Sequence, residues 1–304
     1  MKLPLADLED VAARVDASGL RGKTLLITGG TGFIGRWLLE TFCFLETGAH
    51  MYVTSRNIDA FRAKAPHLAD HPAITMVSEP PATFDLVIHG ATPPSEALAN
   101  GGPALFFETI EATHRLLEAS VGAGAQRFLY LSSGAVYGTA SAYGETKHVG
   151  ELLCSMYSKQ LHTVVARGFA FIGPNIPLSG KFAAGNFLKN ALDHTPIEVI
   201  GDGTPLRSYL YMSDLAVWLW TLLLRGDGVY DVGSEEEVSI EELALEAAKL
   251  SGVPVTIYGR AQPGRAPERY VPSTARARNE LGLLATVDWR TALRKTYDWY
   301  RESA

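Results

Sequence analysis

Apolar residues fall along the chain in two alternating patterns, short continuous runs and helical spacings. Residues 5–18 (LADLEDVAARVDAS) set Leu5, Leu8, Val11, Ala12 and Val15 at helical intervals, which predicts a short amphipathic helix packed on a larger body. The compact run Lys23 to Thr28 (KTLLIT) predicts a strand, and after a glycine cluster Arg36 to Phe44 (RWLLETFCF) returns to helical spacing. Further strands are predicted at 49–54, 74–77, 84–89, 127–131 and 163–166, with helices near 104–120 and 143–159. Strands with continuous apolar cores that alternate with helices predict an α/β fold built on a parallel, doubly wound sheet. After about residue 170 the texture changes to Pro and Gly punctuation (IGPNIPLSG, GDGTP, QPGRAPE), the mark of a smaller second lobe that begins near Phe171.

The 304 residues are 47% apolar, enough for one large α/β unit or two packed domains. A formal charge of -6, with no block of like charge, argues against a nucleic-acid surface. Cys43 and Cys154 lie far apart and match no metal-binding or disulfide pattern. The first ten residues lack the order of a secretory signal, and Leu215 to Leu224 is about half of the roughly 20 residues a membrane span needs. A cytoplasmic protein with a buried helix at 215–224 is the expectation.

Gly29, Gly30, Thr31, Gly32, Phe33, Ile34 and Gly35 lie between the first strand and the first helix, satisfying Gly-x-Gly-x-x-Gly at 30, 32 and 35. Such a turn needs glycine where φ is positive and where a pyrophosphate approaches the backbone, while the helix N-terminus supplies N–H groups. In its strand-turn-helix setting it predicts a Rossmann-type dinucleotide site. The second strand ends in Ser55 and Arg56, where an NAD site usually carries an acid for the ribose 2'-hydroxyl. Arg accommodates a 2'-phosphate, which favours NADP over NAD; stacking of Arg56 on adenine is the alternative.

Ser132 and Ser133 end the fifth strand, and Tyr143 and Lys147, four apart, share one face of the helix that follows. A neighbouring ammonium and a positive nicotinamide would both favour tyrosinate, lowering the phenol pKa toward working pH. Tyr143 could then exchange a proton with a sugar hydroxyl or carbonyl that Ser133 holds.

Together these segments resemble the extended branch of the short-chain dehydrogenase/reductase superfamily, the NAD-dependent epimerase/dehydratase family acting on nucleotide sugars, over about residues 22–298. The resemblance maps the family's glycine turn onto Thr28 to Gly35 (TGGTGFIG) and its strand-four segment beside the cofactor onto His89 to Thr92 (HGAT), which makes Ala91 and Thr92 cofactor contacts. It makes Ser133, Tyr143 and Lys147 catalytic, with Lys147 also holding the nicotinamide ribose. It places Arg207, in GDGTPLRSYLYMSDL, on the nucleotide, and Arg265 or Arg269 near the diphosphate. Phe182, Asn186 and Phe187 fall in the nucleotide-clamping segment, where an aromatic pair lines the base or packs in the core. His89 and His148 border the site as structural residues. Residues 1–170 would form the dinucleotide domain and 171–304 mainly the nucleotide-sugar lobe, with about 206–234 returning to the first domain.

Several departures narrow the chemistry. Gly134 and Ala135 stand where family dehydratases carry an acidic pair, which disfavours 4,6-dehydration, and Ala170 replaces the Asn of the family's Arg-x-x-Asn segment at Arg167 to Pro174. Val77 to Phe84 lacks the usual acidic turn on the adenine side. Ser133 and Tyr143 are only ten residues apart: either the family's loop is deleted here or residues of a longer chain are absent from this sequence, and the need for the Tyr helix to reach the Ser strand favours the second. The expected activity is hydride transfer at a sugar carbon, commonly C4, as a 4-epimerase with retained NAD or as an NADPH-dependent 4-ketosugar reductase. Arg56 favours reduction and family habit epimerisation, so both stay open. A non-catalytic dinucleotide-binding scaffold or sensor is disfavoured because Tyr143 and Lys147 are both present. Surplus apolar residues on Ala104 to Ala119 and Tyr143 to Tyr157 exceed one sheet-facing stripe, and the resemblance implies that these helices pair two copies into a homodimer.

Overall fold

A computed structural model of the chain describes every residue except Met1, Thr139, Ala140, Lys181, Pro263, Arg265, Ser303 and Ala304. Its centre is a parallel sheet of strands β1 (Thr24–Thr28), β2 (His50–Thr54), β3 (Ile74–Val77), β4 (Leu86–His89), β5 (Arg127–Ser133) and β6 (His162–Gly168), completed by the strand Gly228–Val232. The seven strands run in the order Gly228–Val232, β6, β5, β4, β1, β2, β3. The order reverses between β1 and β4, and in an open parallel sheet the crevice above that reversal is where ligands bind.

These strands form because their apolar runs are buried on both faces: Leu25, Leu26, Ile27, Val87 and Ile88 are all buried. β5 extends two residues past its apolar run, since Ser132 and Ser133 pair with Arg167 and Gly168 of β6. Helices α1 (Leu5–Arg14), α2 (Phe33–Phe44), α3 (Ile58–Lys64), α4 (Pro66–Ala69), α5 (Ser95–Gly122) and α6 (Ala142–Tyr157) follow in chain order. α5 starts earlier than its periodicity predicts and is broken at Gly102 (φ 58°), where Pro103 restarts it. Proline fits the first turn of a helix because its missing N–H has no partner there anyway.

The apolar stretch near residue 215 is the helix Met212–Arg225, buried along nearly its whole length, with Trp218 and Trp220 in the core. No helix of the described residues is long and apolar enough to cross a membrane. α1 packs on this helix and ends at Arg14, short of the predicted 18, because Asp16 caps a 3₁₀ turn at Ala17–Leu20. Buried Asp7 of α1 accepts hydrogen bonds from Tyr211 (2.6 Å) and from Lys295. Buried Asp214 accepts from the backbone N–H groups of Thr286 (2.9 Å) and Val287 (3.1 Å) and pairs with Arg14 at 2.7 Å.

Over the carboxyl ends of the strands lie short pairings: Phe171–Ile172 with Leu210–Tyr211, Ile197–Val199 with Val255–Ile257, and Leu206–Arg207 between Val238–Ser239 and Arg269–Tyr270. The last group brings residues 207 and 270 side by side.

Candidate active site

The glycine turn is dictated by close packing at three positions, one of them Gly30, where a Cβ would lie 2.7 Å from the Val53 side chain. Gly29 has φ +75°, and a Cβ there would lie 2.6 Å from the carbonyl carbon of Gly90, at the end of β4. A Cβ on Gly35 would lie 2.3 Å from the Gly29 oxygen, so α2 can start against the turn only with glycine at this position. Gly32 is different: it caps α2 with an ordinary φ of -83°, is exposed, and a Cβ would make only ordinary contact. The fold itself does not require glycine at 32, whereas a ligand laid on the backbone would. Phe33 and Ile34, half-buried, begin the helix.

Beside the turn lies a cleft of about 440 Å³ lined by Gly29, Thr31, Thr54, Ser55, Arg56, Asn57, Lys64 and Ala91, among others. Arg56 is exposed, and the cleft lining holds two cations, Arg56 and Lys64, and no carboxylate. Lys64 arrives from the end of α3, too far along the chain for the glycine motif to single it out.

At the end of β4, a chain of hydrogen bonds fixes His89. The Ala91 N–H donates to Thr28 Oγ1 (3.2 Å), which lies 2.6 Å from His89 Nδ1, while His89 Nε2 lies 3.0 Å from Thr113 Oγ1. The Thr113 hydroxyl donates to Thr109 O (3.1 Å), so Nε2 must be the donor to Thr113, and Nδ1 accepts from Thr28. Burial, then the nearby Lys147, pushes the imidazole down to about 3, and His89 is a neutral brace for the segment holding Ala91 and Thr92. His148 is exposed.

Lys147 is buried, donating to Thr92 Oγ1 (2.7 Å) and to Leu131 O (2.6 Å). It links α6 to the ends of β4 and β5. Burial lowers its ammonium to about 7, against the opposing pull of Glu151. Ser133 caps the turn Gly134–Tyr137 by accepting from the Ala135 N–H, and Ser141 caps α6. Tyr143, in the first turn of α6, lies near enough to Ser133 for the serine hydroxyl to act on its phenol, so the Tyr helix reaches the end of the Ser strand in this chain. In the chain itself burial raises the Tyr143 phenol and the Ser133 hydroxyl lowers it, with the Lys147 ammonium 5.8 Å from the ring centre.

Several residues at this centre carried no signal in the sequence. Tyr270 brings its hydroxyl to 3.4 Å from Ser133 Oγ, its ring 4.7 Å from that of Phe169. Glu151 accepts from Ser132 and, on both oxygens, from Arg167; Arg167 also donates to Tyr137, whose hydroxyl donates to Asp231 at 2.9 Å. These partners are far apart in sequence, so no periodicity or spacing could join them.

Of the substrate candidates, Arg207 comes closest: it lies 5.9 Å from the centre of the Tyr270 ring and is held by Glu268 at 3.0 Å. Asn186 lies on the helix Ala183–Leu192 and donates to Gly180 O at 2.8 Å. Phe182 is exposed whereas Phe187 is buried in the core, so the two do not form one wall. Arg269 pairs with Glu237 at 2.6 Å, and Arg265 lies outside the described residues.

A glycine turn at the switch point of a doubly wound parallel sheet, with Ser133, Tyr143 and Lys147 gathered beside it, defines a Rossmann-type protein of the dinucleotide-binding class. Residues 25–233 match the NAD dependent epimerase/dehydratase family, and the chain belongs to that family. It is 27% identical over 312 residues to UDP-glucuronic acid decarboxylase 1 of Xenopus tropicalis, covering 92% of this chain and 72% of that one. It is 30% identical over 219 residues to a trifunctional UDP-glucose 4,6-dehydratase, 3,5-epimerase and 4-keto-L-rhamnose reductase of Arabidopsis thaliana, covering 64% of this chain and 32% of that one. The Bordetella bronchiseptica enzyme WbmF, solved with NAD+ and UDP, superimposes with a TM-score of 0.79 at 25% identity over 95% of each chain.

Proposed function

We propose that the protein is an NAD(P)-dependent enzyme that oxidises or reduces a carbon of a nucleotide-activated sugar, most simply C4, with Tyr143 as proton acceptor and donor. The observation that carries this is the meeting of Tyr143, Ser133 and Lys147 at the strand ends next to the glycine turn. The residues fit a dinucleotide, since Gly32 is spare to the fold and the turn at Gly29 and Gly35 leaves the α2 N-terminus facing the adjoining cleft. When bound, the nicotinamide supplies the hydride acceptor or donor. Thr31, Gly32, Phe33 and Ile34 would hold the pyrophosphate, Ser55 and Arg56 the adenosine ribose, Ala91 and Thr92 the strand-four side, and Lys147 the nicotinamide ribose. Ser133 would orient the sugar oxygen while Tyr143 moves its proton. Arg207, Asn186 and Arg265 would contact the nucleotide sugar.

Ser133 has no carboxylate of its own to expel water from a sugar: Glu151 is occupied by Arg167 and Ser132, and Asp231 accepts from Tyr137. This favours redox at one carbon over 4,6-dehydration. The cationic lining at Arg56 and Lys64 favours a 2'-phosphate and therefore reduction of a ketosugar by NADPH; epimerisation with retained NAD is the second reading, supported by a Bacillus subtilis relative named as a UDP-glucose epimerase. Turnover of a panel of UDP-, dTDP-, GDP- and CDP-sugars, with mass spectrometry of any retained cofactor, separates the two. Arg56→Ala should weaken NADP by about 10- to 100-fold relative to NAD, the loss of one charge-assisted contact; equal effects on both would return the site to NAD.

Two copies would associate through α5 and α6. Phe107 is 66% exposed on α5, and Leu152 (53%) and Met156 (74%) are exposed on α6, which packs beside it.

A further inference from the structure

Gly134 follows Ser133 directly, and a Cβ there would lie 2.7 Å from the Phe169 ring. Its absence lets Phe169 lie against the strand end, where it stacks on Tyr270 at 4.7 Å between ring centres. Tyr270 itself is carried in from the smaller lobe by the pairing of Arg269–Tyr270 with Leu206–Arg207. The position that lacks an acid is thus filled by an aromatic pair, and the pair ends in a hydroxyl directed at Ser133.

A serine hydroxyl has one proton and two lone pairs. One lone pair of Ser133 takes the Ala135 N–H at 3.2 Å. The ring of half-buried Tyr270 lies beside Phe169 and Arg207, and its hydroxyl, 3.4 Å away, has Ser133 as its hydrogen-bond partner among the described residues. Burial raises the Tyr270 phenol, so it keeps its proton and needs an acceptor.

We propose that Tyr270 is a positioning residue: its O–H donates to Ser133 Oγ, fills the second lone pair, and commits the single Ser133 proton to the Tyr143 oxygen and the substrate oxygen that shares it. The proposal rests on the reading of Tyr143 as the proton-transfer group. It gives the smaller lobe a direct part in setting the ionisation of Tyr143, since a serine proton committed to that oxygen stabilises tyrosinate. The charged and titratable groups around this cluster are Lys147 and Glu151 on α6, Tyr130 on β5, Tyr137 on the turn after it, Arg167 on β6, Arg207 on the strand beside Tyr270, and Asp231 on the sheet-edge strand; each is retained in the test below.

The test is the titration of Tyr143, followed by NMR on protein carrying ¹³Cζ-labelled tyrosine, with NAD+ present; the resonance lost in Tyr143→Phe identifies it. Tyr270→Phe, which keeps the ring and its stacking on Phe169, should raise the Tyr143 midpoint by about half to one pH unit, the scale of one lost hydrogen bond to the charged form. In a Ser133→Ala background the same substitution should leave the midpoint unmoved, which distinguishes action through Ser133 from general repacking. Gly134→Ala, which pushes Phe169 away and leaves Tyr270 in the chain, should reproduce the upward shift. An unchanged or lowered midpoint in Tyr270→Phe, or an equal rise without Ser133, overturns the proposal. A shift of the expected kind in a protein that converts no nucleotide sugar, with or without added NADPH, would instead refute the functional reading and leave the serine relay standing.

Discussion

Tyr143 is held by opposing effects, burial raising its ionisation and the Ser133 hydrogen bond lowering it. A residue placed this way loses its chemistry, and little else, when its hydroxyl is removed. Tyr143→Phe is therefore expected to bind cofactor almost as wild type while turnover falls by roughly 10² to 10⁴-fold, the usual loss for a positioned acid or base. Turnover within a few-fold of wild type would assign the proton to another group. His89 gives a second prediction at this scale. Its folded pKa, about 3, lies below the 6.5 of a free imidazole, so between these values the unfolded chain binds a proton that the folded chain does not. The stability this contributes is complete above about 6.5 and is lost as pH falls toward 3, with a slope of up to about 1.4 kcal/mol per pH unit. Urea unfolding at pH 6.5 and 5.5 measures it, and His89→Gln should flatten the dependence in that interval.

Among the elements, the strand-turn-helix unit β1–α2 separates two uses of glycine that a motif cannot distinguish. Gly35→Ala brings a Cβ to 2.3 Å from a backbone oxygen and should lower the melting temperature by several degrees or prevent folding. Gly32→Ala meets no clash and should melt within a few degrees of wild type without cofactor, yet bind the dinucleotide at least ten-fold more weakly. If both variants melt alike and bind alike, Gly32 is not a ligand contact. Elements with one dominant pattern were legible in the sequence: the span 74–77 matches β3, and the helix of Tyr143 and Lys147 begins one residue early at Ala142. What could not be read were features decided by partners distant in the chain. β5 runs on through two polar residues because β6 offers a ladder, and α5 begins early because a separate helical turn, 95–101, precedes the break at Gly102, while the helix that periodicity predicts restarts at Pro103. Phe182 and Phe187 read alike, but Phe182 precedes the helix Ala183–Leu192 in an extended conformation and faces solvent, while Phe187 on that helix is buried in the core. Tyr270 reaches Ser133 across 137 positions, a separation that leaves no trace in local spacing.

At the scale of the whole molecule, the face of α5 and α6 bearing Phe107, Leu152 and Met156 is expected to meet its copy across a two-fold axis. Light scattering at micromolar concentration should give about twice the 32.9 kDa of one chain, and Met156→Glu with Leu152→Glu should return it to one; a single-chain mass for the unmodified protein excludes the pairing. The two buried acids under the sheet bear on how this protein can be cut. The family match spans 25–233, but a fragment trimmed to those limits would keep Asp214 and Tyr211 while discarding Arg14, Asp7, Thr286 and Val287. Asp214 and Tyr211 would lose the partners that hold them, and the fragment is expected to be less stable than the whole chain, which urea unfolding of the two would measure. Insertions, nested deletions or split reporters placed at the borders of the family match are therefore expected to cost stability before they cost a site, since the partners of Asp7 and Asp214 lie on both sides of those borders.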